Sequence, residues 1–222
     1  MPFCSYIPLC FTKTMGRRAI IYLAHINPLT KAHQSIITSF LKKDYGIYIF
    51  PVRFLKGEKE INTRSFPFPY RIRKAMVESV FSHNNNISIL PDYTFFYPFI
   101  KYLPPLISPY SWVLRNQIVR NIKENDFVAY TGDGIENIAL KLYKLHPIKS
   151  KRLEVSASDV KEMLYHQAIK GTVNDGGAWH DKVPEKVVVL IKENWKIIEK
   201  YAKSPDFTMR LMGMKFPKEG LF

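Results

Sequence analysis

Two short stretches of this 222-residue chain carry side chains suited to a polyphosphate. The first is Ala24-His25-Ile26-Asn27-Pro28-Leu29-Thr30-Lys31-Ala32-His33. Small residues and a Pro turn lead into a predicted helix start, where free backbone N–H groups favour an anion. Thr30 and His33 are three apart and face the same side of the first turn. A hydroxyl and an imidazole aimed at one point suit a triphosphate. Taken alone, a histidine at a helix start also has a purely structural reading. The second stretch is Val155-Ser156-Ala157-Ser158-Asp159-Val160-Lys161. Hydroxyls at a helix start can receive phosphate oxygens, and a cation one turn later neutralises them. Taken alone, this pattern also describes an N-cap followed by a surface lysine.

Alternating strands and helices must position these groups. The apolar run at 18–25 predicts a buried strand, and a helix follows from Thr30 with Ile36, Ile37, Phe40 and Leu41 on one face. A second strand is predicted over 46–54, with Pro51 placing it near an edge or ending it early. Residues 55–69 read as a loop and 70–81 as a helix. A third strand covers 87–90. Residues 93–110 are aromatic and Pro-rich without a regular period, a loop long enough to have a function. Helix 111–122, strand 126–130, a turn at Gly132-Asp133-Gly134 and helix 135–145 come next. A fifth strand is predicted over 152–155, a helix over 156–167 and a last helix over 184–202. This order predicts a doubly wound parallel α/β sheet, whose ligands bind at the carboxyl ends of the strands.

With both signatures in order, each after a predicted strand, the chain resembles the nucleotidyltransferase superfamily of the [TH]-x-G-H type. Asn27-Pro28, Thr30 and His33 match its G-x-F-x-P-x-[TH]-x-G-H setting, with Ala24 and Ala32 replacing glycines. Val155 to Lys161 resembles I-S-[SGA]-T-x-[IV]-R, with Ser158 for Thr and Lys161 for Arg. Further matches are similar to the archaeal-type nicotinamide-nucleotide adenylyltransferases: Pro67-Phe68 with Arg73 and Met76-Val77, Pro91-Asp92, Trp112-Val113, Asp126 to Gly132 with Asp133 where Asn is usual, and Trp179 with Val183-Pro184-Glu185. The resemblance covers roughly 18–202 and implies a Rossmann-like nucleotidyltransferase core with C-terminal helices.

The implied reaction moves AMP from ATP to the phosphate of a mononucleotide, best nicotinamide mononucleotide, giving NAD and pyrophosphate. It makes His33, Thr30 and Lys161 the catalytic set. His25, Ile26, Asn27, Lys31, Ser156, Ser158, Gly132 and Asp133 are expected at the ATP phosphates and nucleoside. Trp112, Arg73 and Asp92 are expected at the acceptor. Mg²⁺ would bridge phosphate oxygens, with no protein metal ligands expected. Trp112 equally fits a core or interface aromatic, Arg73 a carboxylate partner, and Asp133 a helix cap. Asp92 and Trp112 lie farther apart than in the resembled family, so 93–110 reads as an insertion. Position 25 is His where Arg is usual there. These departures surround the acceptor pocket. A related transferase with another phosphorylated acceptor remains open, as does a catalytically weakened nucleotide- or RNA-binding relative.

Composition bounds these readings. The hydrophobic fraction is 46% and the charged fraction 23%, ordinary for a globular protein. No apolar run is long enough to span a membrane. Cys4 and Cys10 form neither a disulfide framework nor a zinc set, so a reduced, cytoplasmic setting is the simplest expectation. The net charge of +14 calls for an anionic partner, which ATP satisfies; nucleic acid is a less favoured one, and a homo-oligomer is plausible. The expected organisation is an extension (1–16), a core (17–155) with the aromatic insert, C-terminal helices (156–202) and a tail (203–222) that packs on a neighbouring subunit or stays free.

Overall fold

The structure, a computed structural model, describes residues 16–132, 134–149, 156–172 and 177–222. Asp133 and the strand expected at 152–155 lie outside the described residues, as does nearly all of the N-terminal extension. β1 (Arg18–Ala24) leads through a loop to α1 (Lys31–Leu41). β2 (Gly46–Pro51), β3 (Arg53–Lys56) and β4 (Lys59–Glu60) precede α2 (Tyr70–Phe81) and β5 (Ile87–Ile89). β6 (Thr94–Phe96) and a 3₁₀ turn (Phe99–Tyr102) lead to α3 (Pro109–Arg120), β7 (Asp126–Thr131), α4 (Gly134–Leu142) and β8 (Ile148–Lys149). Then come α5 (Ala157–Lys170), a 3₁₀ turn (His180–Lys182), α6 (Glu185–Glu193), α7 (Trp195–Ala202) and a hairpin of β9 (Thr208–Leu211) and β10 (Met214–Pro217).

Five strands form a parallel sheet in the order β5-β2-β1-β7-β8. The chain winds outward from β1 to β2 and β5, then returns to the other side of β1 with β7. The switch point therefore lies between β1 and β7, with Ala24 and Thr131 at their carboxyl ends. Such a crevice is where open α/β sheets bind ligands. Both sheet faces are buried, which accounts for the near-continuous apolar strands. Ile20 and Tyr22 of β1, Ile47 and Ile49 of β2, and Val128 and Tyr130 of β7 pack with α1, α2, α5, α6 and α7. Ala19, Ile21, Tyr48, Phe50 and Ala129 face the other way, toward α3, α4 and an aromatic cluster.

Three expectations change. The strand predicted over 46–54 divides at Pro51. The Val52 N–H makes the last ladder bond to β1, at the Ala24 carbonyl (3.1 Å), and the Arg53 N–H then goes to the Tyr93 carbonyl (2.9 Å). β3 then belongs to a separate sheet, β4-β3-β6. The segment 93–110 is accordingly an ordered part of the fold, contributing β6 and a 3₁₀ turn. The predicted helix 184–202 breaks at Asn194, whose side chain donates to the Leu190 carbonyl (2.8 Å).

The tail is a structural member of this chain. Its hairpin buries Phe216 among Phe54 and Phe95, ring centroids 5.6 and 5.5 Å away. Leu221 is buried in the same cluster, and the Gly220 and Leu221 carbonyls accept from the Phe99 and Ile100 N–H groups (2.8 and 2.9 Å). Gly220 has φ +87, and a Cβ there would lie 3.0 Å from the Phe99 ring. Phe216 is fully buried, so Phe216→Ala should lower stability by about 3–5 kcal/mol. Urea unfolding checks this; a free tail would leave the midpoint unchanged.

Candidate functional site

The start of α1 holds His33 in one orientation. Thr30 is the N-cap and His33 the third helical residue, and the two form a reciprocal capping pair. The Thr30 N–H donates to His33 Nδ1 at 3.0 Å, and the Thr30 hydroxyl lies 2.9 Å from the same nitrogen. A backbone N–H can only donate, so Nδ1 is an acceptor and the neutral ring carries its proton on Nε2. Thr30 itself is fully buried. Its hydroxyl therefore orients the imidazole, where the sequence suggested a direct contact with phosphate. Burial, then the charge of Lys161, lower the His33 pKa to about 4, so the ring is a neutral N–H donor at physiological pH.

The start of α5 meets the same place. Ser156 caps this helix, its oxygen accepting from the Ser158 and Asp159 N–H groups (3.1 and 3.3 Å). Lys161 follows one turn later, only 7% exposed. Its ammonium donates to the Asn27 carbonyl at 3.3 Å, a contact across 134 positions. No carboxylate lies within salt-bridge distance of Lys161 among the described residues. Burial first, then repulsion from Lys215, depress its pKa to about 8. The two helix starts thus converge on the loop after β1.

That loop is clamped from beneath. The Asn27 side chain is buried and bonds the Phe68 backbone twice, to its carbonyl (2.9 Å) and from its N–H (3.1 Å). Ile26 is buried with φ +46, a left-handed backbone that β-branched residues rarely adopt. Arg73 is 2% exposed. It donates to the carbonyls of His25 (2.9 Å) and Val52 (2.8 Å) and pairs with Glu60 at 2.8 Å. These bonds make Arg73 a strut under the loop, of the two readings the one with a carboxylate partner. The His25 ring stacks on Phe66 (5.2 Å, 8°), and its buried Nδ1 has no partner. Burial, with Lys161, Arg73 and Lys215 around it, holds the His25 pKa down to about 3.

The other expected residues divide. Lys31 and Ser158 are exposed at the starts of α1 and α5, and Gly132 is exposed just past β7. Thr131 donates to Glu136 (2.6 Å), closing the turn between β7 and α4. Asp133 lies outside the described residues. Asp92 is half-buried beyond β5. Trp112 is engaged within the fold: its indole N–H donates to the Leu106 carbonyl (2.8 Å), and its ring meets Tyr143 edge-on at 5.1 Å. The groove lined by Met163, His166, Lys170 and Trp179 contains none of the predicted site residues. Sequence reasoning missed Lys215, which the hairpin brings to Ser65 (3.1 Å). It also missed Asp206, which accepts from the Ser65 N–H and hydroxyl (3.2 and 2.7 Å). Neither belongs to a local motif; only the return of the tail could have revealed them.

No protein-family model and no curated protein matches the chain. Solved structures do match it. The chain is similar to the bifunctional NMN adenylyltransferase/ADP ribose pyrophosphatase of Francisella tularensis complexed with AMP and a Mn ion. The TM-score is 0.59 at 12% identity, over 84% of this chain and 52% of that one. A second structure of that bifunctional protein gives 0.53 at 14%, over 86% and 58%. The chain thus spans little more than half the length of these neighbours. With the strand order, the likeness defines a Rossmann-like α/β fold.

The two lowered histidines make acid sensitivity a signature of this site. An unfolded chain takes up their protons near pH 6.5; the folded one refuses them until about pH 4 and about pH 3. Stability from these rings is complete above pH 6.5 and declines as pH falls through that window. Melting curves from pH 7 to pH 4 should show Tm falling, and a His25→Phe variant should fall less steeply. Parallel profiles would contradict the burial of a neutral ring at position 25.

Proposed function

We propose that this chain is an adenylyltransferase that moves AMP from ATP to the phosphate of a mononucleotide, with nicotinamide mononucleotide as acceptor and NAD and pyrophosphate as products. The observation that carries this reading is the Lys161–Asn27 contact, which draws two helix starts and the neutral His33 to one strand end at the sheet's switch point. The Rossmann-like fold, and the activity in the name of the Francisella tularensis neighbour, support the same class.

An oxygen of the acceptor phosphate would attack the α-phosphorus, and the bond from that phosphorus to the β-bridging oxygen would break. The acceptor brings its own nucleophile, so the protein's work is positioning and charge stabilisation. His33 would donate its Nε2 proton as a hydrogen bond to an α-phosphate oxygen, held there by Thr30. Lys161 and Ser158 would receive the β- and γ-phosphates. Lys31 and the turn at Gly132 and Asp133 would border the nucleotide, and Asp92 the acceptor side. Mg²⁺ enters as part of the ATP substrate. Among the described residues no three His, Cys, Asp or Glu converge on a point, so phosphate oxygens and water would complete its shell.

A different phosphorylated acceptor is the second reading. It is favoured by Trp112 and Arg73, whose polar groups already bond Leu106, His25, Val52 and Glu60. Incubation with ATP and a panel of phosphorylated acceptors, followed by mass analysis, separates the two. His33→Ala should reduce kcat by roughly 10²–10³ with fold intact; unchanged turnover would remove His33 from the mechanism. Because the Lys161 ammonium loses its proton near pH 8, KM for ATP should rise between pH 7 and pH 9. Substituting arginine, which stays charged, should flatten that rise.

A further inference from the structure

We propose that Lys215, carried back by the C-terminal hairpin, is a second polyphosphate-binding lysine that joins Lys161 in holding the pyrophosphate half of ATP and the departing pyrophosphate. This rests on the transferase reading above and adds to it a residue from outside both phosphate signatures.

The geometry comes from three contacts. The Lys215 ammonium bonds the Ser65 hydroxyl at 3.1 Å. The next residue, Phe66, is stacked face to face on His25. Two residues along the chain from His25, the Asn27 carbonyl holds Lys161. Two ammonium groups from different parts of the C-terminal region, α5 and β10, are therefore tied to residues that neighbour or stack on His25.

The charge balance at this point is incomplete. Arg73 is neutralised by Glu60 at 2.8 Å. Neither Lys161 nor Lys215 has a carboxylate within 4.0 Å among the described residues. Asp206 is the nearest acidic group in the bonded network, and it is engaged by the Ser65 N–H and hydroxyl and the Thr208 hydroxyl. Burial is the main cause that lowers the pKa of Lys161 and of His25, and the positive charge of Lys215 acts in the same direction on both. Two lysines with no direct ion pair, Asp206 reaching Lys215 only through the Ser65 hydroxyl, beside a buried imidazole nitrogen with no partner, make a locus that an anion would relieve. Charges buried in native folds are otherwise paired. A pyrophosphate carries enough charge and oxygens to bridge both ammonium groups, each in a charge-assisted bond.

The test uses the full chain and inorganic pyrophosphate as the probe. Lys215→Gln keeps a hydrogen bond to Ser65 and removes the charge, Lys215→Arg restores the charge, and Lys218→Gln, on an exposed neighbour, is the control. By calorimetry Lys215→Gln should bind pyrophosphate about tenfold more weakly, as expected for one lost ionic hydrogen bond. Lys215→Arg and Lys218→Gln should stay near the parent. KM for ATP should rise in Lys215→Gln with little change in kcat. Without ligand, Lys215→Gln should melt no lower than the parent, because a repulsion has been removed, and the rise in Tm on adding pyrophosphate should shrink. A lower unliganded Tm with the full pyrophosphate rise would overturn the proposal in favour of a structural lysine, and so would parental affinity in Lys215→Gln. AMP transfer by a parent protein that binds no pyrophosphate would remove this proposal alone; absence of both would remove the transferase reading as well.

Discussion

The structure depends on an ammonium held almost out of water against a backbone carbonyl. Lys161 meets the carbonyl of Asn27 at 3.3 Å while only 7% exposed. Desolvating a cation is unfavourable unless rigid dipoles or an opposite charge compensate it. Here the direct partner is one carbonyl, with Asp206 and Glu162 acting at longer range, and that carbonyl must therefore be fixed in place. Asn27 is fixed by two bonds to the Phe68 backbone, and the His25 carbonyl, two residues before it, by Arg73. The loop after β1 is consequently a rigid shelf, held from the side of α2 and presented to α5. A flexible loop could not keep a lysine charged there.

The partner of that shelf is the segment 61–66, which joins the core to the C-terminal helices. Arg64 donates to the carbonyls of Tyr201 and Ala202 (3.1 and 2.7 Å) and pairs with Glu162. Tyr165 returns a bond to the Arg64 carbonyl at 2.6 Å. Ser65 reaches Asp206 and Lys215, and Phe66 carries the His25 ring. One short stretch thus sets the height of α5, the end of α7 and the hairpin relative to the same imidazole. The placement of Lys161 is then a property of the whole C-terminal region, because α5 alone has no means of choosing its distance from Asn27.

The elements visible in the sequence are those whose signals are local. Thr30 and His33 at the head of α1, Ser156 capping α5, and the apolar runs of β1, β2 and β7 are governed by the next few residues along the chain, and they fall where the pattern places them. Signals that depend on the third dimension were silent. Arg73 reads identically as a phosphate ligand or as a strut until Glu60 and the His25 carbonyl are brought beside it. Pro51 marks an ending, but nothing nearby says that the chain then enters a second sheet with β6. Trp112 carries the chemistry of a base-stacking platform, yet its N–H is taken by Leu106 in the inserted segment. The tail mixes apolar and basic residues without a local signal that Phe216 packs into this chain's own core or that Lys215 returns to Ser65.

The electrostatics favour binding and polarisation over proton exchange. Burial is the main cause that lowers the pKa of both rings, with Lys161 acting on each and Arg73 and Lys215 also on His25. His33 is left with one polar hydrogen, on Nε2, because Nδ1 is committed to Thr30. A donor that stays neutral adds no fixed charge to the ground state, and its hydrogen bond strengthens as negative charge accumulates on the oxygen it faces. The lysine beside it supplies the fixed charge. In the proposed transfer, neutral polarisation by His33 and positive charge from Lys161 would divide the labour: the α-phosphorus becomes electrophilic while the outer phosphates are held as a leaving group. Burial, the main cause that lowers the His33 pKa, is also the main cause that weakens the hold of Lys161 on its own proton, and in the proposed transfer that lysine would bound the working range on the alkaline side.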